Sequence, residues 1–350
     1  MIFQTEDHIL YLCQKDVERA CQELDSVAVI REVFKLHNAS QTNLPDEAYL
    51  SWTNDQGENV RSLNMPGYVG GSLAVAGTKI INGNISNPRR GLPRASGLTL
   101  LYDKTTVRVT CIMEGAYLSS LRTASVSALA ADLLKGAEIE CMAIIGAGVL
   151  ARAHIELLAK RLPHLHQIWI FDLEKARIEA LQHELAPLLE TKRIEIQPTA
   201  TAEEAIRRAQ LIVPVTTTTD GYIRYEWLQS GSLLVNISLD DPLPEVVFKA
   251  DKVIVDDWNL VKNDSRRLIG RMYREGKVIG PDDRIEKGGN DCRRIDAQLG
   301  EIVAGSKIGR SSPNDIILVN PFGLSIEDVA LGSYVYQAAQ ERGIGLLLER

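Results

Sequence analysis

Apolar residues recur at two different periods along this chain, and the change between them divides it. Over 16–37, Val17, Ala20, Leu24, Val27, Ile30, Val33 and Phe34 fall near the helical period, which predicts one amphipathic helix. Runs with strand composition follow at 59–65 (NVRSLNM), 73–81 (LAVAGTKII), 97–102 (GLTLLY) and 106–113 (TVRVTCIM). The stretch 82–96, NGNISNPRRGLPRAS, has loop chemistry, dense in Asn, Pro, Gly and Arg. An Ala/Leu/Ser-rich helix is predicted over 117–134. The first part reads as a helix with a mostly antiparallel sheet.

After Lys135-Gly136 strands and helices alternate at short spacing. Strands are predicted at 140–145, 167–171, 193–196, 211–215, 233–238 and 252–256. Helices are predicted at 149–161, 174–188 and 202–208, with a short one near 224–229. This alternation predicts a parallel, doubly wound α/β sheet. A last helix, about 324–341, stands apart from the final strand and is free to return to the first part.

Composition narrows the functional classes. A chain of 350 residues suggests about two domains. A 45% hydrophobic and 24% charged content excludes a disordered or fibrous chain. A net charge of −7 with no basic block argues against nucleic acid and anionic membranes as partners. No apolar run approaches the roughly 20 residues of a membrane helix. Glu6 and Asp7 stand where a signal peptide would be positive, so a cytoplasmic protein is expected. Five scattered cysteines without a C-x-x-C pattern fit reduced thiols, and the six histidines show no metal-ligand spacing, so no metal is expected.

The sharpest motif is AIIGAGVLA at 143–151. Gly146 suits a tight turn, Gly148 lets a backbone approach a pyrophosphate, and Ala151 allows close helix–strand packing. The following helix would turn free N–H groups toward the phosphates. Asp172 ends the next strand, about 20 residues on, where a carboxylate accepts the ribose hydroxyls of NAD. A turn without ligand, with Asp172 as a helix cap, is the competing reading.

Two cations fall in apolar elements. Arg122 has Leu118, Val126 and Leu129 as helical neighbours, and Lys79 lies within LAVAGTKII. Such charges need an anion. Either a small carboxylate ligand binds them or an internal acid such as Glu114 pairs with them. At the carboxyl end of strand 233–238, Asp240 and Asp241 precede Pro242, and Thr216, Thr217, Thr218 and Thr219 follow the neighbouring strand. Ligands of open α/β sheets gather at such ends. Asp241 is a candidate general base, against an Asp-Pro turn; the Thr run is a candidate nicotinamide contact, against a capping cluster.

Together these motifs resemble the ornithine cyclodeaminase/μ-crystallin family over nearly the whole length. The matching pieces are Gly77-Thr78-Lys79, Ser96-Gly97, Leu121-Arg122-Thr123-Ala124, Ile145-Gly146-Ala147-Gly148, Asn236 to Asp241, Gln298-Leu299-Gly300-Glu301, and Gly323 with Glu327-Asp328. Pro93-Arg94-Ala95-Ser96-Gly97, Val255-Asp256-Asp257-Trp258 and the tail Tyr336-Gln337-Ala338-Ala339-Gln340 with Ile344-Gly345 favour one branch. That branch is the N-(2-amino-2-carboxyethyl)-L-glutamate dehydrogenases, which make 2,3-diaminopropionate for siderophores or antibiotics.

The resemblance implies a homodimer, with a substrate and dimerisation domain at 1–130 plus 324–350 around an NAD-binding Rossmann domain at 131–323. It implies that Lys79 and Arg122 bind the substrate carboxylate with help from Arg61, and that Asp241 is the catalytic acid or base with Lys79 beside it. Thr216 to Thr219 and Ser238 would line the cofactor. A substrate with three carboxylates calls for further cations; Arg94 is the candidate, while Arg89 and Arg90 read as a solvated loop. The stretch Ser238-Leu239-Asp240-Asp241-Pro242-Leu243-Pro244 departs from the Gly-Gly-Asp-x-Pro-Gly-Lys of cyclodeaminases, which disfavours ornithine and leaves Asp240 as the alternative to Asp241, with distance from Asn236 favouring Asp241. The alternatives are an ornithine or lysine cyclodeaminase, another amino-acid or imine oxidoreductase, and a dinucleotide-binding protein without turnover. The basic run Lys262, Arg266, Arg267, Arg271 and Arg274 reads as a solvated helix face, with a fold over the site as the competing reading.

Overall fold

The computed structural model describes residues 8–283 and 292–350; Glu6 and Asp7 lie outside the described residues. The chain forms two compact units, Met1–Arg122 with Leu324–Arg350, and Thr123–Gly323. The first division falls inside the helix Ala116–Leu134, upstream of the 130/131 boundary read from the sequence.

In the first unit, strands run in the order Leu346–Glu349, His8–Leu12, Val109–Glu114, Ala95–Tyr102, Val75–Asn84, Asn59–Val69, Thr42–Asn43, with Ala48–Thr53 also paired to Asn59–Val69. All neighbours are antiparallel except His8–Leu12 beside Val109–Glu114. Period-two alternation sorts the sheet into two faces. Leu63, Met65, Lys79, Thr99, Leu101, Cys111 and Met113 are buried on one. The helix Ser325–Arg342 lies over that face, and close approach is possible because glycines meet it: a Cβ on Gly77 would come within 3.2 Å of Val329, and one on Gly67 within 2.8 Å of Ser325 Oγ. The last helix therefore does return to the first part.

The single helix expected over 16–37 is two, Gln14–Ala20 and Ser26–Asn38. Asp25 breaks it: its side chain accepts the Ala28 N–H at 3.0 Å and starts a new helix as an N-cap. The Asn/Arg-rich stretch is shorter than its composition suggested. Backbone pairing carries the flanking strands to Asn84 and back from Ala95.

In the second unit every neighbouring pair of the main sheet is parallel, in the order Glu195–Pro198, Gln167–Phe171, Cys141–Ile145, Leu211–Pro214, Leu233–Val235, Ile317–Val319, Lys252–Val255, Ala297–Gln298. The order turns back beside Cys141–Ile145, which is the switch point of a doubly wound Rossmann-type sheet. Strand Lys252–Val255 does not complete the sheet as expected, because Ile317–Val319 inserts before it. The helix at 175–192 passes through Pro187 rather than stopping near it.

Two buried devices tie helices to this unit. Arg310 donates to the carbonyls of Leu134, Asp315 and Gly231, closing the C-terminus of Ala116–Leu134. His154 is fully buried between Leu150 O, 2.7 Å from Nδ1, and Ser127 Oγ, 2.9 Å from Nε2. A carbonyl cannot donate, so Nδ1 carries a proton. Burial lowers its pKa from 6.5 to about 4. The folded pKa lies below the unfolded one, so the stabilising effect is complete above about 6.5 and is lost as pH falls toward 4. The loss is on the order of 3 kcal/mol. Urea unfolding at pH 7 and pH 5 should show a smaller acid loss for His154→Gln than for wild type; equal losses would show that His154 is not the titrating group.

Candidate functional site

In the second unit, Gly146 follows strand Cys141–Ile145 at φ +103°, a conformation that favours glycine, and a Cβ there would meet Val215 O at 3.0 Å. Gly148 is the N-cap of helix Val149–Arg161, and nothing lies within 4 Å of where its Cβ would stand. Ala151 is fully buried against the sheet. The turn therefore leaves an open cradle at a helix N-terminus, the geometry that accepts a diphosphate. Asp172 supports it from the next strand: Oδ2 accepts the Ala147 N–H at 2.7 Å and Oδ1 the Glu174 N–H at 2.8 Å. Each oxygen keeps a second lone pair for a sugar hydroxyl. Val149 and Leu173 are 71% and 92% exposed beside this turn, an apolar rim that sequence periodicity did not single out.

At the carboxyl end of the same sheet the two adjacent acids have opposite surroundings. Both oxygens of Asp240 are taken by Arg271, at 2.9 and 3.2 Å. Asp241 is fully buried; its Oδ1 accepts from Thr216 Oγ1 at 2.8 Å and Tyr222 Oη at 2.9 Å, while Oδ2 has no hydrogen-bond partner among the described residues. Burial raises the pKa of Asp241, against the pull of hydroxyls from Thr216, Tyr222 and Ser238. Ser238 Oγ also accepts the Thr216 N–H at 2.8 Å. Thr216 and Ser238 thus serve the carboxylate in this structure. Thr217 is exposed, and Thr218 bonds Asp220 within its own turn.

In the first unit, Lys79 and Arg122 come together, but the acids they meet are Glu327 and Asp328. Lys79 Nζ lies 2.8 Å from Asp328 Oδ2; Arg122 lies 3.1 Å from Glu327 Oε2 and 3.4 Å from Asp328 Oδ2. Glu114, considered as an internal partner, instead caps the helix Ala116–Leu134 through the N–H groups of Ala116 and Tyr117. Two cations and two carboxylates leave no net formal charge. Burial and the neighbouring Arg122 push Lys79 below its ordinary pKa, against Asp328 and Glu327. The Arg122 side chain keeps 11% exposure against 2% for Lys79, so Arg122 is the more accessible of the two cations.

Arg61 lies over Gly83 in the same unit, where a Cβ would stand 3.5 Å from its Nε. Burial, together with the Arg61 charge, lowers the pKa of Arg94. Among the described residues no carboxylate forms an ion pair with either guanidinium. Arg90 by contrast pairs with Glu58 at 2.6 Å on the surface. The basic run 262–274 is a solvated face only in part: Lys262 and Arg274 make exposed contacts, but Arg266 pairs with Asp264, Arg267 donates to the carbonyls of Pro321 and Phe322, and Arg271 holds Asp240. Tyr222 was missed because nothing in its local sequence marks it; only the bridge between Ile223 and Pro242 brings it to Asp241.

The buried quartet yields a direct test. Lys79→Met leaves Asp328 sealed in with one cation fewer and should cost about 3–5 kcal/mol in urea unfolding. Adding Asp328→Asn should recover part of that loss; strictly additive losses would show that the two groups do not compensate each other.

Comparison with known proteins places this geometry. The ornithine cyclodeaminase/mu-crystallin family model matches residues 8–343. The chain is 32% identical over 346 residues to N-((2S)-2-amino-2-carboxyethyl)-L-glutamate dehydrogenase of Staphylococcus aureus, covering 97% of this chain and 98% of that protein. It is 34% identical to the crystal structure of CmnK, with a TM-score of 0.88 over 98% of this chain and 99% of that one. The Thermococcus litoralis Δ(1)-pyrroline-2-carboxylate reductase, solved with NADH and L-proline, shares the fold at 24% identity and a TM-score of 0.84, over 97% and 99% of the two chains. The chain belongs to the ornithine cyclodeaminase/mu-crystallin family.

Proposed function

We propose that this protein is an NAD-dependent dehydrogenase that cleaves a C–N bond of N-(2-amino-2-carboxyethyl)-L-glutamate, releasing 2-oxoglutarate and L-2,3-diaminopropionate. The observation that carries the substrate choice is the Arg61–Arg94 pair. Two half-buried like charges without a carboxylate partner among the described residues are costly alone, and a substrate with three carboxylates supplies what they lack. The similarity to the Staphylococcus aureus dehydrogenase over nearly its full length supports the same reading.

The glycine turn fits a dinucleotide: Gly146, Gly148 and Ala151 would hold the diphosphate, Asp172 the ribose, and Thr216, Thr217, Thr218 and Ser238 would flank the nicotinamide. Bound NAD supplies the acceptor for hydride from the glutamyl Cα, which leaves a C=N carbon on the substrate. Arg122 and Lys79, with Arg61, hold the adjacent carboxylate, and Arg94 takes a remote one. Asp241 removes a proton from the water that adds to the C=N carbon. It returns that proton to the nitrogen and accepts the proton of the new hydroxyl as the C–N bond breaks and the C=O bond forms. A carboxylate raised by burial suits both halves of that exchange.

The second face of the antiparallel sheet supports a homodimer. Pro66, Tyr68, Ile80, Leu98, Leu100, Tyr102 and Ile112 share it, and every one is at least partly exposed. A second copy of the same apolar face would cover it.

Purified protein with NAD and N-(2-amino-2-carboxyethyl)-L-glutamate should give NADH and 2-oxoglutarate in equal amounts, with ornithine inert in parallel. Arg94→Ala should lower kcat/KM about 10- to 100-fold, as expected for a lost charged hydrogen bond. A flat trace, with ammonia and proline formed from ornithine, would make the protein a cyclodeaminase. Full kcat/KM in Arg94→Ala would remove its role. Leu98→Asp should halve the mass found by sedimentation equilibrium; an unchanged mass would reject this face as the interface.

A further inference from the structure

Asp241 is held by a second segment of its own unit. Tyr222 N–H and Ile223 N–H both lie 2.9 Å from Asp241 O, Leu243 N–H donates to Ile223 O at 3.0 Å, and Ile223 bridges Pro242. Gly221 makes this contact close: a Cβ there would meet Pro242 O at 3.1 Å and Asp240 O at 3.2 Å. The segment that follows the Thr run is thereby zipped to the acid's own backbone. The phenol of Tyr222 then reaches the carboxylate of the residue whose carbonyl its backbone holds.

Two hydroxyls, Tyr222 Oη and Thr216 Oγ1, converge on Oδ1, and none of the described residues bonds Oδ2. We propose that Tyr222 is a positioning residue: with Thr216 it occupies Oδ1, fixes the plane of the Asp241 carboxylate, and leaves Oδ2 as the one oxygen that exchanges a proton with the substrate. This rests on the reading of Asp241 as the acid–base group. An ionised carboxylate shared between two equivalent oxygens would have to be oriented during each turnover, whereas this one is oriented beforehand. The titratable and charged neighbours are few. Tyr222 itself stays protonated, since burial and Asp241 both raise its pKa, and Asp240 is neutralised by Arg271.

The test is Tyr222→Phe in the full-length protein, which keeps the ring and removes the donor. Losing a hydrogen bond to the charged form should move the titration of Asp241 upward by about one pH unit. In the pH profile of kcat with NAD and N-(2-amino-2-carboxyethyl)-L-glutamate, the rising limb should move by that amount while KM stays within about twofold. Infrared titration of the protein without substrate reads the same carboxyl group, identified by the band lost in Asp241→Asn. An unshifted infrared midpoint in Tyr222→Phe overturns the proposal whatever the enzyme turns over. A shifted midpoint in a protein that does not oxidise this substrate would uphold the positioning role and reject the assigned reaction.

Discussion

Burying a charge is tolerable only when an opposite charge or a set of donors meets it, and that constraint organises both units of this protein. In the first unit the sheet carries Lys79 on its covered face, where water is excluded. The last helix answers with Glu327 and Asp328 in its first turn, beside Arg122 from the helix Ala116–Leu134. Those acids also sit where a helix N-terminus favours negative charge. The C-terminal helix is thus fixed to the sheet by more than apolar area: sliding it by one turn would separate two buried ion pairs. Close packing at Gly67 and Gly77 adds a steric register to the electrostatic one.

A compensated quartet has a chemical consequence. Because its formal charges cancel, it does not draw an anion by net charge as an isolated Lys–Arg pair would. What it offers an incoming carboxylate is Arg122, already oriented by Glu327 and Asp328 and still reached by solvent. Arg61 and Arg94 are two cations of that unit that form no ion pair with a carboxylate among the described residues, and each lies close enough to the other for its charge to be felt. Recognising one carboxylate by preorganised donors and another by unbalanced charge are separable tasks; the proposed reaction gives the first to Arg122 and Lys79 and the second to Arg94, with Arg61 placed between them.

Much of this was legible in the sequence, and the failures have physical causes. The glycine turn, its strand and helix, and Asp172 follow from local rules that act over a few residues. Lys79 and Arg122 stood out because a cation in an apolar row demands an anion, but the identity of that anion depends on a helix some two hundred positions away, and no local rule reaches it. Asp25 split a helix that periodicity joined, because a cap bond outweighs apolar spacing that would have run on through it. The strand Ile317–Val319 is three residues long, too short to show a period, yet it sits between two predicted strands. Tyr222 and the engagement of Arg266, Arg267 and Arg271 are products of tertiary contact alone.

Asp240 and Asp241 show why environment rather than residue type decides function. The two share a backbone, a composition and a place at the end of one strand segment. Asp240 faces Arg271, whose guanidinium fork donates to both oxygens. A carboxylate so engaged has no basic site to offer. Asp241 faces hydroxyls that satisfy one oxygen only, in a place where burial favours the protonated form. Hydroxyls orient it without adding a positive charge to oppose its protonation, so burial keeps its pKa above the ordinary carboxylate value. Placing an arginine on the first acid and a tyrosine on the second makes one a strut and leaves the other with a free oxygen among the described residues, as the proposed acid–base role requires.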